Sequence, residues 1–259
     1  MQWRIGSQEF IPRIDDFLAA PVEFVQQSKM WWAQCDMGGC SSQEAYVMAR
    51  AVAKVISQHY DAWLMRIFRQ QYAYLSRSER RLMLDRVMAL LRGEGQLAAQ
   101  ERMDGMTASL TVLLWAHDSL VIEGVEDFAL SDVRTALIDL AGQAIDEYFA
   151  EQEYRQFIGF LKEYVRQQSP QSDVLHVRCW HNEVNIANAD GVDVGREIIE
   201  ALSEDLDDGE DTRQELVVSA LVLLAPEEVV LHGEMAPDLQ AMLCAIFEGR
   251  VKAAAGRQP

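Results

Sequence analysis

His176, Cys179 and His181 stand close together on one alternating apolar stretch. Imidazole and thiolate bind borderline metals, and imidazole moves protons near neutral pH. Strand alternation puts Cys179 and His181 on one face and His176 on the other. At most two could therefore share a ligand sphere, whereas a closed zinc site needs four ligands. His232, at the end of a later apolar stretch, joins Cys179 and His181 if the two strands pair. Glu153 and Arg155 add a carboxylate and a cation. With His176, His181 and His232 they make the candidate set for a small-ligand site.

Other chemistry is weaker. Four residues separate Cys35 from Cys40, too loose for a zinc knuckle, and the reading is a loop carrying two inert thiols. The acidic run Glu204–Asp211 places Gly209 like the glycine of a calcium loop. Leu206 then falls where an oxygen ligand is required, which leaves a solvated, charge-repelling loop. His117 and Asp118 are adjacent, and helix neighbours point apart, so they read as helix-end residues. No phosphate loop, nucleophile elbow or H-E-x-x-H motif occurs, and no cofactor is implied.

Helical spacing dominates residues 1–170. Phe10, Ile14, Phe17 and Leu18 predict a short amphipathic helix closed by Pro21. Ser41 or Ser42 caps a long helix reaching about Tyr74. Ser76 and Glu79 form a capping box, and the helix behind them turns Leu82, Val87, Leu90 and Leu91 inward and ends near Gly93. Met106–Leu120 predicts a helix buried on most sides. Ser131 or Asp132 opens a helix that Pro170 closes. Within it, Phe149, Phe157, Phe160, Leu161 and Tyr164 read as a packed aromatic seam.

Beyond Gln167–Asp173, the expected domain boundary, the period changes. Val174–Trp180 and Glu183–Asn188 alternate as paired strands around a His181–Asn182 turn. Two helices, the strand Val229–His232 and a last helix Pro237–Val251 follow. The expected fold is α+β: a predominantly helical region over 1–170, then a small α/β region over 171–259 in the order β-β-α-α-β-α, with a short sheet.

The chain has 259 residues and a net charge of −18, which disfavours a nucleic-acid-binding role because it repels phosphates. The charge is uneven: residues 1–100 are net +2, 101–170 net −8 and 171–259 net −12. Arg66, Arg69, Arg77, Arg80 and Arg81 lie in a basic stretch that reads as a solvated helix face, or as a surface for a protein partner. Four cysteines in a chain of this length, no apolar leader and no run near ~20 apolar residues predict a cytoplasmic protein without a membrane span. Its oligomeric state stays open.

Three consecutive stretches carry a family resemblance. Ile122–Phe128 resembles N-x-E-G-F-x-x-F, and Glu153–Gln168 resembles E-Y-x-x-F-I-x-x-L-x-x-[FY]-V-x-x-Q. Leu216–His232 resembles D-L-L-I-S-x-L-x-x-x-A-P-x-x-I-x-x-H, continued by Ile246-Phe247 and Arg250-Val251. These patterns resemble the sporulation-associated YtxC-like family. The likeness spans about residues 120–251; the first 100 residues carry no motif of it. Val125 replaces a Phe of the pattern, Ala129 an Arg, and the cysteines that follow Arg-Val in many members are missing from Lys252–Arg257. No metal or thiol role of that tail therefore carries over. The resemblance implies a soluble bacterial protein and supplies no reaction or catalytic residue. The matching positions are mostly apolar or aromatic, with no convergent nucleophile and base. The expectation is a non-catalytic interaction or regulatory protein acting during sporulation through a protein partner. The alternative is a small-ligand binder or enzyme with a site between the two regions.

Overall fold

The first 36 residues depart from the helical expectation. The computed structural model describes residues 2–9, 13–18, 20–36, 41–180, 183–203, 210–233 and 235–254. In it, β1 (Gln2–Ser7), β2 (Val22–Gln27) and β3 (Met30–Asp36) join β4 (Ser119–Val121) in a sheet of order β2-β3-β1-β4. β3 pairs antiparallel with both neighbours, and β1 pairs parallel with β4. The cause is a period of two: Trp3 and Ile5 are buried while Gln2 is exposed. A single 3₁₀ turn, Ile14–Phe17, stands where the first amphipathic helix was expected; Phe10 lies outside the described residues.

Contacts divide the chain into two compact units, Met1–Tyr148 and Phe149–Pro259. The division falls inside a long helix, ahead of Pro170.

In the first unit, α1 (Ser42–Gln58) starts at Ser41, whose hydroxyl accepts from the Glu44 amide in a full capping box. The expected long helix breaks at His59, whose φ −115° and ψ 25° leave the helical region, and α2 (Tyr60–Gln71) follows. The apolar period survives the break, which is why spacing alone did not reveal it. α3 (Arg77–Gly93) has the predicted Ser76–Glu79 capping box. Its buried residues are Met83, Leu84 and Val87, whereas Leu82 points outward at 41% exposure. α4 (Gln96–Ala116) packs along α1 and buries Met106, Thr107, Leu110 and Leu114. It is one-sided rather than buried all round, because Val112 and Trp115 lie in the open. Trp3 Nε1 donates to the Leu114 carbonyl at 3.3 Å and ties the sheet to α4. α5 (Ile122–Phe128) and the first part of α6 (Ser131–Gln167) complete the unit.

The second unit contains the end of α6, then β5 (Val174–Trp180), β6 (Glu183–Asn188), α7 (Arg196–Ser203), α8 (Glu210–Leu224), β7 (Glu228–His232), α9 (Pro237–Ile246) and β8 (Val251–Ala253). The sheet order is β6-β5-β7-β8. β5–β6 is antiparallel; β5–β7 and β7–β8 are parallel. Leu175, Val177, Val229 and Leu231 face a core with Leu221, Leu243 and Phe247. The expected hairpin is present, although its turn residues His181 and Asn182 lie outside the described residues.

The last helix ends at Ile246, short of the expected Val251. Gly249 takes φ +76°, which turns the chain, and Val251 then pairs with Val229 as a strand. The α+β class holds, with two small mixed sheets rather than one.

Candidate functional site

The α6 aromatics do not form a closed seam. Phe149, Phe157, Phe160 and Tyr164 are 38–66% exposed. Phe160 stacks on Tyr164 with centroids 6.3 Å apart. Tyr154, Phe157 and Leu161, one helical face at i, i+3 and i+7, instead wall a cavity of about 600 Å³ in the second unit. Val218, Ser219 and Val222 of α8 form much of the opposite wall, with α7 and α9 contributing one residue each. α8 can supply both the core and this wall because its stretch Leu216–Leu224 is apolar nearly all round: Val217 and Leu221 enter the core while Leu223 stays 45% exposed.

Across the sheet the chemistry is polar. In the parallel register Arg178 lies beside His232 and His176 beside Val230, so His176, Arg178 and His232 share the face opposite the core. His176 Nδ1 and His232 Nε2 are 2.9 Å apart. One ring nitrogen must donate and the other accept, so the contact excludes a doubly protonated pair. Burial first, then the neighbouring His176 ring and Arg178 guanidinium, hold the His232 imidazole below its ordinary pKa. His232 thus meets His176. The side chains of Cys179 and His181 fall outside the described residues.

Glu153 is exposed on α6, and Arg155 is exposed and paired to Glu151 at 3.1 Å. Of the described candidates, none of His176, His232, Glu153 and Arg155 lines the α6–α8 cavity. Among the described residues, no group of three or more His, Cys, Asp or Glu could hold a metal ion. The acidic run at 204–209 also lies outside them.

The five arginines separate into three kinds. Arg66 is only 15% exposed; its Nη1 meets the Glu9 carboxylate at 2.6 Å and its Nη2 pairs with Glu126. Arg80 Nε donates to the Leu75 carbonyl at 2.9 Å. Arg69, Arg77 and Arg81 line one hollow with Met65 and Ser78.

Glu126 is 1% exposed, and burial pushes its carboxyl up to about 8 against the pull of Arg66. No spacing signals this cluster, because Glu9, Arg66 and Glu126 meet only through the fold. Glu123, the acid of the Ile122–Phe128 motif, has a structural task. Its Oε1 accepts from Ser7 Oγ at 2.6 Å and from the backbone amides of Gln8 and Glu9. It thereby fixes the end of β1 to α5.

Cys35 is not in a loop. It is buried in β3, and burial, with Asp15 nearby, raises its thiol to about 11, which leaves it inert. His117 caps the end of α4, and the Asp118 carbonyl accepts from the Arg4 amide at 2.9 Å, as expected for helix-end residues.

Among the described residues no helix is long and apolar enough to cross a membrane. No solved structure matches the chain. A protein of Bacillus subtilis (strain 168), "Uncharacterized protein YtxC", is 22% identical over 204 residues, covering 74% of this chain and 70% of that one. The YtxC-like family matches residues 46–252. The match takes in the three motifs, and it also reaches back through α1–α4, where no motif was legible. On this coverage the chain belongs to the YtxC-like family.

Proposed function

We propose that this is a non-catalytic interaction protein that acts in the cytoplasm during sporulation. Its α6–α8 cavity receives an amphipathic helix of a protein partner. One observation carries this reading: residues of two family motifs, Tyr154, Phe157 and Leu161 with Val218, Ser219 and Val222, meet in one apolar hollow. Half-exposed aromatic rings on a rigid helix are good anchors for an apolar partner face.

The partner's polar edge is basic, because residues 149–259 carry 21 Asp/Glu against 9 Lys/Arg, net −12. The sporulation role rests on the family resemblance. The cytoplasmic placement is supported by the free thiols of Cys35 and Cys244.

A photo-crosslinking residue at Phe157, in cells entering sporulation, tests the proposal. The expected product is one stoichiometric protein. Its crosslinked segment alternates apolar residues at helical spacing with Lys or Arg along one edge, and capture is lost in Leu223→Asp and weakened by salt. A crosslink to a segment without that pattern overturns the reading. So does capture that ignores Leu223→Asp, or a small molecule retained in the cavity.

A further inference from the structure

A positively charged hollow lies where α2 ends and α3 begins, far in sequence from the α6–α8 cavity. Arg69 sits in the last turn of α2. Arg77 and Arg81 sit at i and i+4 on α3, and all three arginines line one hollow. Ser78 and Met65 complete the lining, and among the described residues no carboxylate takes part.

Arg69 and Arg77 have no hydrogen-bond or ion-pair partner among the described residues. Arg81 has only a 3.8 Å contact with Asp85, and both of those side chains are mostly exposed, so the pairing is weak. Glu79, the acid of α3's first turn, is committed elsewhere: it accepts from the Ser76 amide at 2.7 Å. The first turn of α3 adds the positive end of a 17-residue helix.

The cluster is mildly self-repelling in the free protein. Like charges at i and i+4 repel, and a third joins them from α2. Yet this chain has 41 Asp/Glu against 23 Lys/Arg, so acids to neutralise the cluster are plentiful. We propose that the hollow formed by Arg69, Arg77, Arg81 and Ser78 is a binding site for a dianionic phosphate group, free or carried on a small organic molecule. Guanidinium forks match the oxygens of such a group, and Ser78 can donate a hydroxyl to it. The hollow's volume, about 640 Å³, exceeds what a bare phosphate fills and leaves room for an organic remainder against Met65. A nucleic acid fits less well: residues 1–148 are net −6 and the whole chain net −18, which opposes a polyanion while tolerating one small dianion.

The test uses the full chain at low ionic strength. Inorganic phosphate, a small phosphate monoester, chloride at matched ionic strength and a single-stranded oligonucleotide are each titrated by calorimetry. Melting temperature is followed in parallel. The wild type binds phosphate or the monoester and melts higher in its presence, and chloride does neither. Arg69→Gln/Arg77→Gln weakens binding by at least about tenfold, since two charge-assisted forks are removed. Without phosphate the variant melts no lower than the wild type, because both side chains are exposed and their mutual repulsion is relieved. Tighter monoester binding places the group on an organic carrier; equal binding identifies free phosphate as sufficient. The proposal is overturned by unchanged phosphate binding in the double variant, by chloride matching phosphate, or by the oligonucleotide outcompeting phosphate at equal phosphate concentration.

Discussion

Replacing Glu126 with Gln should change how stability depends on pH, with a sign set by the structure. Glu126 is 1% exposed, and its carboxyl rises from an ordinary 4.5 to about 8 in the folded state. An acid with a raised folded pKa binds its proton more tightly folded than unfolded. It therefore withdraws stability as pH rises from about 4.5 toward 8, and the loss is complete above the folded value. At roughly 1.4 kcal/mol per unit the ceiling is about 5 kcal/mol, and relaxation and water entry bring the expectation to about 3 kcal/mol. Glu126→Gln keeps the shape and removes the charge, while Arg66 retains Glu9 at 2.6 Å. The variant should match the wild type within about 1 kcal/mol at pH 5 and exceed it by about 3 kcal/mol at pH 8.5.

Urea denaturation at fixed ionic strength, followed by tryptophan fluorescence, is the assay. Five of the six tryptophans lie within residues 1–148, so the signal reports the unit that holds Glu126. Comparing the two proteins at each pH cancels the titrating groups that are not coupled to Glu126. Arg66→Met supplies the opposite perturbation, leaving Glu126 buried beside no cation. It should cost about 3–5 kcal/mol at pH 8.5 and much less at pH 5, with Glu126→Gln restoring most of the loss. A wild-type–Gln difference that stays constant from pH 5 to 8.5, or runs the other way, refutes the assignment of a buried acid held up by desolvation.

Glu123→Ala should cost about 1–3 kcal/mol, because one carboxylate oxygen serves three donors at the end of β1. Hydrogen exchange should accelerate at the Gln8 and Glu9 amides before it does in α1. Gly195→Ala should destabilise by about 1–3 kcal/mol, since the new Cβ would lie 2.6 Å from Ile186 Cβ; thermal melting at unchanged m-value checks it. His176→Asn should raise the His232 pKa, which NMR titration of the ring protons reads directly; an unmoved value means the His176 ring does not influence it.

The sequence reveals elements whose own side chains decide them. The Ser76–Glu79 box, the Val174–Trp180 and Glu183–Asn188 hairpin and the long α6 are readable because cap, alternation and helical stripe are local. The N-terminal sheet was hidden by a competing pattern. Ile14, Phe17 and Leu18 fit a helical stripe, while the alternation of Trp3 and Ile5 spans too few residues to outweigh it. The break at His59 is invisible in the spacing because α1 and α2 continue one apolar period across it. Strand β8 is only three residues long and follows a helix ended by Gly249, so its pairing with β7 is knowable only in three dimensions. Of the candidate site residues, His176 and His232 meet through parallel pairing across 56 positions. Strand alternation could fix which face each occupied but not which strand lay beside it.

The three family motifs do different physical work. Ile122–Phe128 contains Glu123, whose carboxylate accepts from Ser7, Gln8 and Glu9 at and just past the end of β1, so the acid of this motif acts as a fastener. Glu153–Gln168 and Leu216–His232 each send one face into the second core, through Val165 and Leu221, and another into the α6–α8 cavity, through Phe157 and Val222. Core packing alone requires only the first of these faces. A helix that served nothing but the core would turn polar residues outward at Phe157, Phe160 and Leu223, since exposed rings contribute nothing to folding and add an aggregation hazard. The apolar outer residues of α6 and α8 that line one cavity are the observation behind the proposed docking surface. That observation makes Phe157 and Leu223, rather than the histidines, the first positions to change.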